Sequence, residues 1–142
     1  MVNGKIQPFF EVKKRRYRFR LLDIGPSRHY QLFLTNPDNP AQSIPYWRIS
    51  NDGNLYEKPQ LTTNVKLAPA ERADIIVDFS QLPQSTTEIF LVNRAEQTDG
   101  RGPTGNTLPM AQSPKLLKFI IRPGVVADPS RVPSTLRALP CG

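Results

Sequence analysis

Few residues in this chain have side chains that could perform metal or nucleophilic chemistry. The 142 residues include one histidine, His29, and one cysteine, Cys141, which is next to last. Copper, zinc and iron sites gather several histidine, cysteine or carboxylate ligands, and a blue-copper site needs two histidines and a cysteine. A Ser/His/Asp triad would also depend on His29, and no serine lies in a G-x-S-x-G turn. We therefore predict no catalytic residue and no metal ligand, and interpret His29 as structural.

The carboxylates of the segment LAPAERADIIVDFS are the next candidates. Asp74 and Asp78 fall on one face of a predicted strand, about 13 Å apart at the usual rise per residue. The carboxylate pairs of glycoside hydrolases are separated by roughly 5 to 10 Å. We interpret Glu71 and Asp74 as structural instead, either organising a turn or pairing with a nearby arginine such as Arg72 or Arg28.

The elements that would position these side chains are predicted to be strands. The chain contains 15 prolines, which disfavour helices, and apolar residues never follow a helical period for three turns. Alternating apolar residues recur between turn signals such as Asn3-Gly4 and Asn51-Asp52-Gly53. About eight short strands in this pattern predict an all-β fold, a two-sheet Greek-key sandwich or barrel.

The predicted segments have the following bounds. Extended segments are predicted at 9–12, 17–22, 29–34, 46–50, 55–56, 61–67, 73–79, 89–93 and 116–122. Residues 35–41 contain Asn36-Pro37 and Asn39-Pro40 and are predicted to be a loop. Residues 95–114 form a long polar loop, which in a compact domain is often functional or disordered. Residues 1–122 are predicted to form the domain, and the proline-rich residues 123–142 an extended linker.

The basic stretch KKRRYRFRLL, residues 13–22, is open to two interpretations. Its charges and aromatic rings could contact phosphates and bases of a nucleic acid. However, Tyr17, Phe19 and Leu21 share one strand face and Arg18 and Arg20 the other, so the rings are in register to be buried. We favour a solvated connection over residues 13–16 that leads into a core strand, with no specific nucleic-acid site.

Several motifs in a fixed order resemble a known family. Taken together they resemble the second cupredoxin-like domain of three-domain multicopper oxidases, of the bacterial spore-coat laccase and bilirubin oxidase type. The motifs are V-N-G-K at 2–5, Y-R-F-R-L-L-D at 17–23, R-x-Y-x-L-x-L at 28–34, D-G-x-L at 52–55, L-A-P-A-E-R-A-D-I-I-V-D-F-S at 67–80, L-x-N at 91–93, L-L-K-F-I-I-R-P at 116–123 and D-P-S-R-V-P-S-T-L at 128–136.

The resemblance implies a role without copper for this chain. Such oxidases hold copper in their first and third domains through His-x-His and His-Cys-His motifs, none of which occurs here. The second domain spaces the other two, which would be the partners of this chain, and forms part of the substrate-entrance wall. By analogy, Asn93, Arg94, Ala95 and Glu96 would face a phenolic or bilirubin-like substrate. In relatives this loop can carry a cysteine bridged to the third domain, and here it carries none.

The resemblance also implies structural roles for a further set of side chains, which match family positions. These are Arg28, Glu71, Arg72 and Asp74.

Two other functions remain open from the sequence. The net charge of +7 would suit an autonomous basic module for anionic partners. Faces that meet neighbouring domains in an oxidase would be exposed in the separate chain, which favours homo-oligomers. The N-terminus lacks the pattern of a secretory signal, and no apolar run is long enough for a membrane span. The resemblance points to an extracytoplasmic or spore-coat parent protein, and the compartment of this chain stays open.

Overall fold

The chain folds into ten β-strands arranged in two sheets. The computed structural model describes residues 1–138, so Cys141 and the end of the predicted linker lie outside the described residues. The strands are β1 (Phe9–Val12), β2 (Arg16–Leu22), β3 (Tyr30–Asn36), β4 (Asn39–Ile44), β5 (Tyr46–Asn51), β6 (Asn54–Thr62), β7 (Val65–Leu67), β8 (Arg72–Asp78), β9 (Glu88–Asn93) and β10 (Lys115–Ile121). The all-β cupredoxin-like sandwich expected from the sequence is confirmed.

The larger sheet has six strands, and its strand β3 pairs with three others, β9, β4 and β7. Its path runs β1-β10-β9-β3-β4, and β7 pairs with β3 beside β4. The strands β1 and β10 are parallel, with Phe9 beside Lys118 and Val12 beside Ile121. Strand β1 therefore forms one edge of this sheet, and it joins the two ends of the folded domain.

The smaller sheet has four strands in the order β2-β8-β5-β6. Arg16 lies opposite Asp78 and Arg20 opposite Asp74 in the β2–β8 ladder. The hairpin between β5 and β6 turns at Asp52 and Gly53, which both have positive φ angles of 45° and 83°. The predicted Asn51-Asp52-Gly53 turn is thus confirmed, because these residue types tolerate that conformation.

The core lies between the sheets and is supplied by alternate residues of each strand. In β8, Ala73, Ile75 and Val77 are each 2% exposed or less, whereas the intervening residues are half-buried. The rings of Tyr17 and Phe19 on β2 stack at 6.0 Å and contact this core from its margin. The inward orientation predicted for that face of β2 is therefore confirmed.

One buried hydroxyl group ties the two sheets together. Tyr46 at the start of β5 is 1% exposed, and its hydroxyl donates a 2.7 Å hydrogen bond to the carbonyl of Leu32 on β3. Burial raises the pKa of the Tyr46 phenol well above its ordinary value. The hydrogen bond joins β5 of the smaller sheet to β3 of the larger one, and the phenol that donates it stays neutral.

Three predictions about local structure were wrong. Residues 39–44 form strand β4 and pair with β3, because Pro40 lies on an edge strand where its missing N–H costs no ladder bond. The two short segments predicted at 55–56 and 61–67 are instead the continuous strand β6 followed by β7. Lys14 is 7% exposed rather than solvated, and its Nζ donates to the carbonyl of Pro83 and to Oε1 of Gln84, both at 3.2 Å.

Helical structure is minor in the described part of the chain. Two three-residue 3₁₀ turns occur, at Phe79–Gln81 and Met110–Gln112. No helix among residues 1–138 is long and apolar enough to span a membrane.

Candidate functional site

The long polar loop after β9 is a folded arm that packs against the start of β3. We call residues 94–114 the arm. A β-bridge joins Ala95 to Thr107, and the N–H of Leu108 donates to the carbonyl of Arg94 at 2.8 Å. The arm therefore returns on itself as an irregular hairpin before β10 begins.

Asn93 attaches the base of the arm to β3. It is 2% exposed, and its Oδ1 accepts hydrogen bonds from the N–H of Gln31 at 2.8 Å and of Ala95 at 3.0 Å. Its Nδ2 donates to the carbonyl of His29 at 3.2 Å. All of these bonds are internal, so the Asn93 side chain positions the arm and points away from solvent.

Arg94 is held on the outer face of the larger sheet. Its guanidinium lies 4.9 Å from the ring centroid of Phe33, and its Nε donates to the carbonyl of Leu108 at 2.8 Å. A cation over an aromatic face is attractive, and here the contact also shields Phe33, which is 8% exposed. Arg94 therefore fastens the arm to the sheet.

Glu96 closes the middle of the arm. Its carboxylate accepts hydrogen bonds from the hydroxyl of Thr104 and, at 3.0 Å, from the side-chain amide of Asn106. These bonds, the one from Thr104 first, lower the pKa of Glu96. Backbone bonds run in parallel, from Thr104 N to the Glu96 carbonyl and from Glu96 N to the Asn106 carbonyl. The arm thus has a defined shape without a disulfide in residues 1–138.

Gln97 joins the arm to the segment before β3. Its Oε1 accepts from the N–H of His29 at 2.9 Å, and its Nε2 donates to the carbonyl of Ser27 at 2.9 Å. The carbonyl of Gln97 accepts from Nη1 of Arg28 at 3.1 Å. Sequence reasoning missed Gln97, because a lone glutamine in a polar loop gives no signal of three long-range bonds.

A cavity of about 240 Å³ lies between the arm and the β3–β7 edge. Tyr30 and Gln31 pair with Leu67 and Lys66 along one wall. Of the four residues predicted to face a substrate, only Ala95 lines this cavity. The full lining is His29, Tyr30, Gln31, Lys66, Leu67, Ala68, Glu71, Ala95, Pro103, Gly105 and Asn106.

The donor groups near the cavity do not fit copper. His29 contributes the one imidazole of the chain, and its Nδ1 lies 3.3 Å from the carbonyl of Ser27. Across residues 1–138, no three histidine, cysteine or carboxylate side chains are grouped so that they could hold a metal ion. Copper sites are built from several such ligands, so no chemical step can be assigned to copper within this part of the chain.

The charged residues predicted to be structural lie in turns, in ion pairs and in contact with the arm. Glu71 accepts a 2.7 Å bond from the N–H of Ala68 in the turn before β8. Asp74 pairs with Arg18 across the β2–β8 ladder, not with Arg72 or Arg28. Arg72 instead lies 3.6 Å from Asp52 at the β5–β6 turn, and Arg28 contacts the arm. The strand register places Arg20 opposite Asp74, but the ion pair is made diagonally by Arg18, a partner that cannot be read from neighbours in sequence.

Three curated relatives cover almost the whole chain. Multicopper oxidase LPR1 homolog 1 from Oryza sativa subsp. japonica is 38% identical over 135 residues, which are 95% of this chain and 21% of that protein. A laccase from Bacillus subtilis is 34% identical over 99% of the chain and 25% of its own length. A bilirubin oxidase from Albifimbria verrucaria is 31% identical over 98% of the chain and 24% of its own length. The chain thus spans a quarter or less of the length of each of these proteins.

Solved structures agree with the sequence matches. The McoA multicopper oxidase of Aquifex aeolicus superposes with a TM-score of 0.72 at 25% identity, over 95% of this chain and 27% of that one. A laccase from Pediococcus acidilactici gives a TM-score of 0.66 at 27% identity, over 98% of this chain and 24% of that one. No protein-family model matches the chain. The chain has the cupredoxin-like fold of multicopper oxidase domains, and multicopper oxidases are its homologues over nearly its whole length.

Proposed function

We propose that this chain is the copper-free middle domain of a laccase-like multicopper oxidase. In such a protein it spaces a first and a third cupredoxin domain, and the arm forms part of the wall around the substrate entrance. The parent protein would oxidise phenolic or related substrates and reduce O₂ to water. The separate chain would have no oxidase activity.

One observation carries this proposal. The chain aligns with multicopper oxidases over 95 to 99% of its length, yet it has one histidine and one cysteine in total. A copper-bearing domain of a multicopper oxidase needs more ligands than these. Both facts support a domain that accompanies copper-bearing domains without holding copper itself.

The arm is the element we propose for the substrate-entrance wall. Asn93, Arg94 and Glu96 hold its shape through internal contacts, so they would act as positioning residues. The exposed residues of the arm that line the cavity are Pro103, Gly105 and Asn106. We propose that a substrate entering between domains would meet these residues and Ala95.

The copper-free role can be tested on the chain itself. The purified chain would be incubated with excess Cu(II), or with Cu(I) under reducing conditions, and dialysed before copper is measured by atomic absorption. We expect well below one copper per chain, no blue absorption band and no oxidation of a phenolic dye. One tightly bound copper with a blue band would overturn the proposal.

The middle position can be tested separately from the copper result. Sequencing the genomic DNA on both sides of the coding region would show the flanking reading frame. We expect His-x-His motifs upstream, and both His-x-His and His-Cys-His motifs downstream. A flanking frame in which the histidine-rich motifs all lie on one side would contradict the middle position and leave the copper-free assignment intact.

A further inference from the structure

The segment that follows β10 is anchored to the sandwich although it contains no strand or helix up to residue 138. We call residues 123–136 the strap. Its first anchor is at the start of β2, where Oδ2 of Asp128 accepts a 2.8 Å bond from the N–H of Arg16. Nη1 of Arg16 also donates to the carbonyl of Ser130 at 2.7 Å. The guanidinium of Arg15 lies 3.8 Å from Asp128.

The first anchor is shaped around a charged carboxylate. Oδ1 of Asp128 accepts a 3.0 Å bond from the N–H of Ser130, and its Oδ2 accepts from Arg16 N. These bonds, the one from Arg16 first, lower the pKa of Asp128 to about 2. Arg16 also pairs with Asp78 at 3.0 Å, so this anchor includes two arginines and two carboxylates.

The second anchor lies at the opposite edge of the same sheet. The N–H of Leu136 donates a 2.7 Å bond to the carbonyl of Glu57 on β6. Strands β2 and β6 are the two edges of the four-stranded sheet, with β8 and β5 between them. The chain must therefore pass from one edge to the other between Ser130 and Leu136.

The length of the strap permits a direct crossing. Three interstrand spacings amount to about 14 Å, and six extended residues reach about 20 Å, which is enough to cross the sheet. The Arg16 side chain lies on the outer face, because it pairs with Asp78 while Tyr17 and Val77 face the core. The route therefore crosses the outer face of the sheet.

The burial of side chains along this route agrees with a strap that covers the outer face of the four-stranded sheet. Trp47 and Ile76 are paired in register on the outer face of β5 and β8, and both are half-buried. On the strap, Val132 and Leu136 are half-buried, whereas the residues between them are exposed.

We propose that the strap is docked across the four-stranded sheet and delivers the chain to the edge of β6, so it is an interaction element and not a free linker. The surface that it recognises is this sheet's own outer face, with the Arg15–Arg16 pair as the charged anchor. If the proposed function holds, the path toward the domain that follows passes the edge of β6 at Leu136. The docking of the strap itself does not depend on that function.

The unmodified chain provides the first test, by hydrogen exchange measured with NMR. We expect the amide of Leu136 to exchange at least about tenfold more slowly than an unstructured amide, because a docked strap must open before exchange. Exchange of Leu136 at the unstructured rate would overturn the proposal.

Variants at each anchor provide the second test. Asp128→Ala removes the first anchor, and Leu136→Pro removes the N–H of the second. Each should speed tryptic cleavage at Arg131 about tenfold and raise acrylamide quenching of Trp47, the one tryptophan of the chain. Asp99→Ala is the matched control, since Asp99 is exposed on the arm and contacts only nearby groups such as Arg101.

The variants must keep their fold for this comparison to count. Far-UV circular dichroism and the unfolding midpoint would be recorded for all three. Folded variants of both anchors that show the control's cleavage rate and quenching would contradict the docked strap. Neither readout involves copper, so this result is independent of the test of the proposed function.

Discussion

At the scale of single residues, buried polar side chains position the arm. Asn93 was placed in the candidate site because of the motif L-x-N, and its three hydrogen bonds are all directed inward. The sequence could indicate the region but not the direction of the side chain. An asparagine at the end of a strand is equally compatible with a surface position, and only the packing of β3 against β9 buries it.

Replacing Asn93 tests whether the arm depends on it. Asn93→Ala removes three internal hydrogen bonds, each worth about 1 kcal/mol, so the free energy of unfolding should fall by about 3 kcal/mol. Urea unfolding monitored by circular dichroism would measure the change. Asn54→Ala, at the exposed first residue of β6, is the control and should change the stability by less than about 0.5 kcal/mol. Equal effects of the two substitutions would refute the role of Asn93.

Tyr46 makes the stability of the sandwich sensitive to alkaline pH. Its folded-state pKa is raised by burial above the unfolded value of about 10, so its contribution is complete below pH 10 and is lost as the pH rises further. Above pH 10, the free energy of unfolding should fall by about 1.4 kcal/mol per pH unit because of this group. Tyr46→Phe should cost about 1 to 2 kcal/mol at pH 7 and make the alkaline decline shallower.

The measurement for Tyr46 is urea unfolding at pH 7 and at pH 10.5. Tyr56→Phe serves as the control, since Tyr56 lies on edge strand β6 and its ring contacts Arg48. If the stability of Tyr46→Phe fell at alkaline pH as steeply as that of the unmodified chain, other groups would be responsible for the pH dependence.

At the scale of elements, the sequence predicts strands in which apolar and polar residues alternate. It does not predict strands that form because a neighbouring strand offers hydrogen-bonding groups. The alternation of β8 was read correctly because its inward residues are apolar and its outward residues are polar or half-buried. Strand β4 reads N-P-A-Q-S-I, a turn-like composition with little apolar signal. It is a strand because β3 offers an edge, and that edge exists only in the folded protein.

The arm is an element whose stability should depend on one carboxylate. Because hydrogen bonds lower the pKa of Glu96, its stabilising effect is present above the ordinary carboxyl pKa and is lost as the pH falls through the lowered value. Glu96→Gln should loosen the arm at neutral pH in the same way as acid does. The amides of Glu96 and Thr104 should then exchange several-fold faster, while those of β8 stay unchanged.

Hydrogen exchange by NMR, at pH 7 and again at acid pH, would test the arm. Glu88→Gln is the comparison, because Glu88 pairs with Lys118 on the sheet rather than within the arm. A variant at Glu96 whose amides keep their full protection would mean that the backbone bonds alone hold the arm.

At the scale of the whole molecule, several of the basic side chains are paired with carboxylates from distant segments. In the basic stretch, Lys14 is buried, Arg15 and Arg16 meet Asp128, and Arg18 meets Asp74. Four of the six basic residues of the stretch are thus buried or close to a carboxylate. The sequence showed the charges but not their partners, because Asp128 is 112 residues away from Arg16.

The exposed edge of the larger sheet should control self-association. Phe9 and Phe10 on β1 are 64% and 47% exposed, and an apolar edge strand invites pairing with another chain. We expect the separate chain to associate as its concentration rises and Phe9→Lys to reduce this at least about tenfold in the dissociation constant. Sedimentation equilibrium would measure it. Ile24→Lys, at an exposed position outside any strand, is the control, and monomers at every concentration would contradict the prediction.

The parallel pairing of β1 with β10 also sets the order in which the protein can complete its fold during synthesis. Residues 9–12 leave the ribosome more than a hundred residues before their partners at 118–121. Contacts between such distant segments slow folding, and domains fold as units during synthesis. Strand β1 therefore cannot take its place at the edge of the sheet until β10 has emerged, so its backbone hydrogen-bonding groups lack their strand partner through most of the synthesis of this domain.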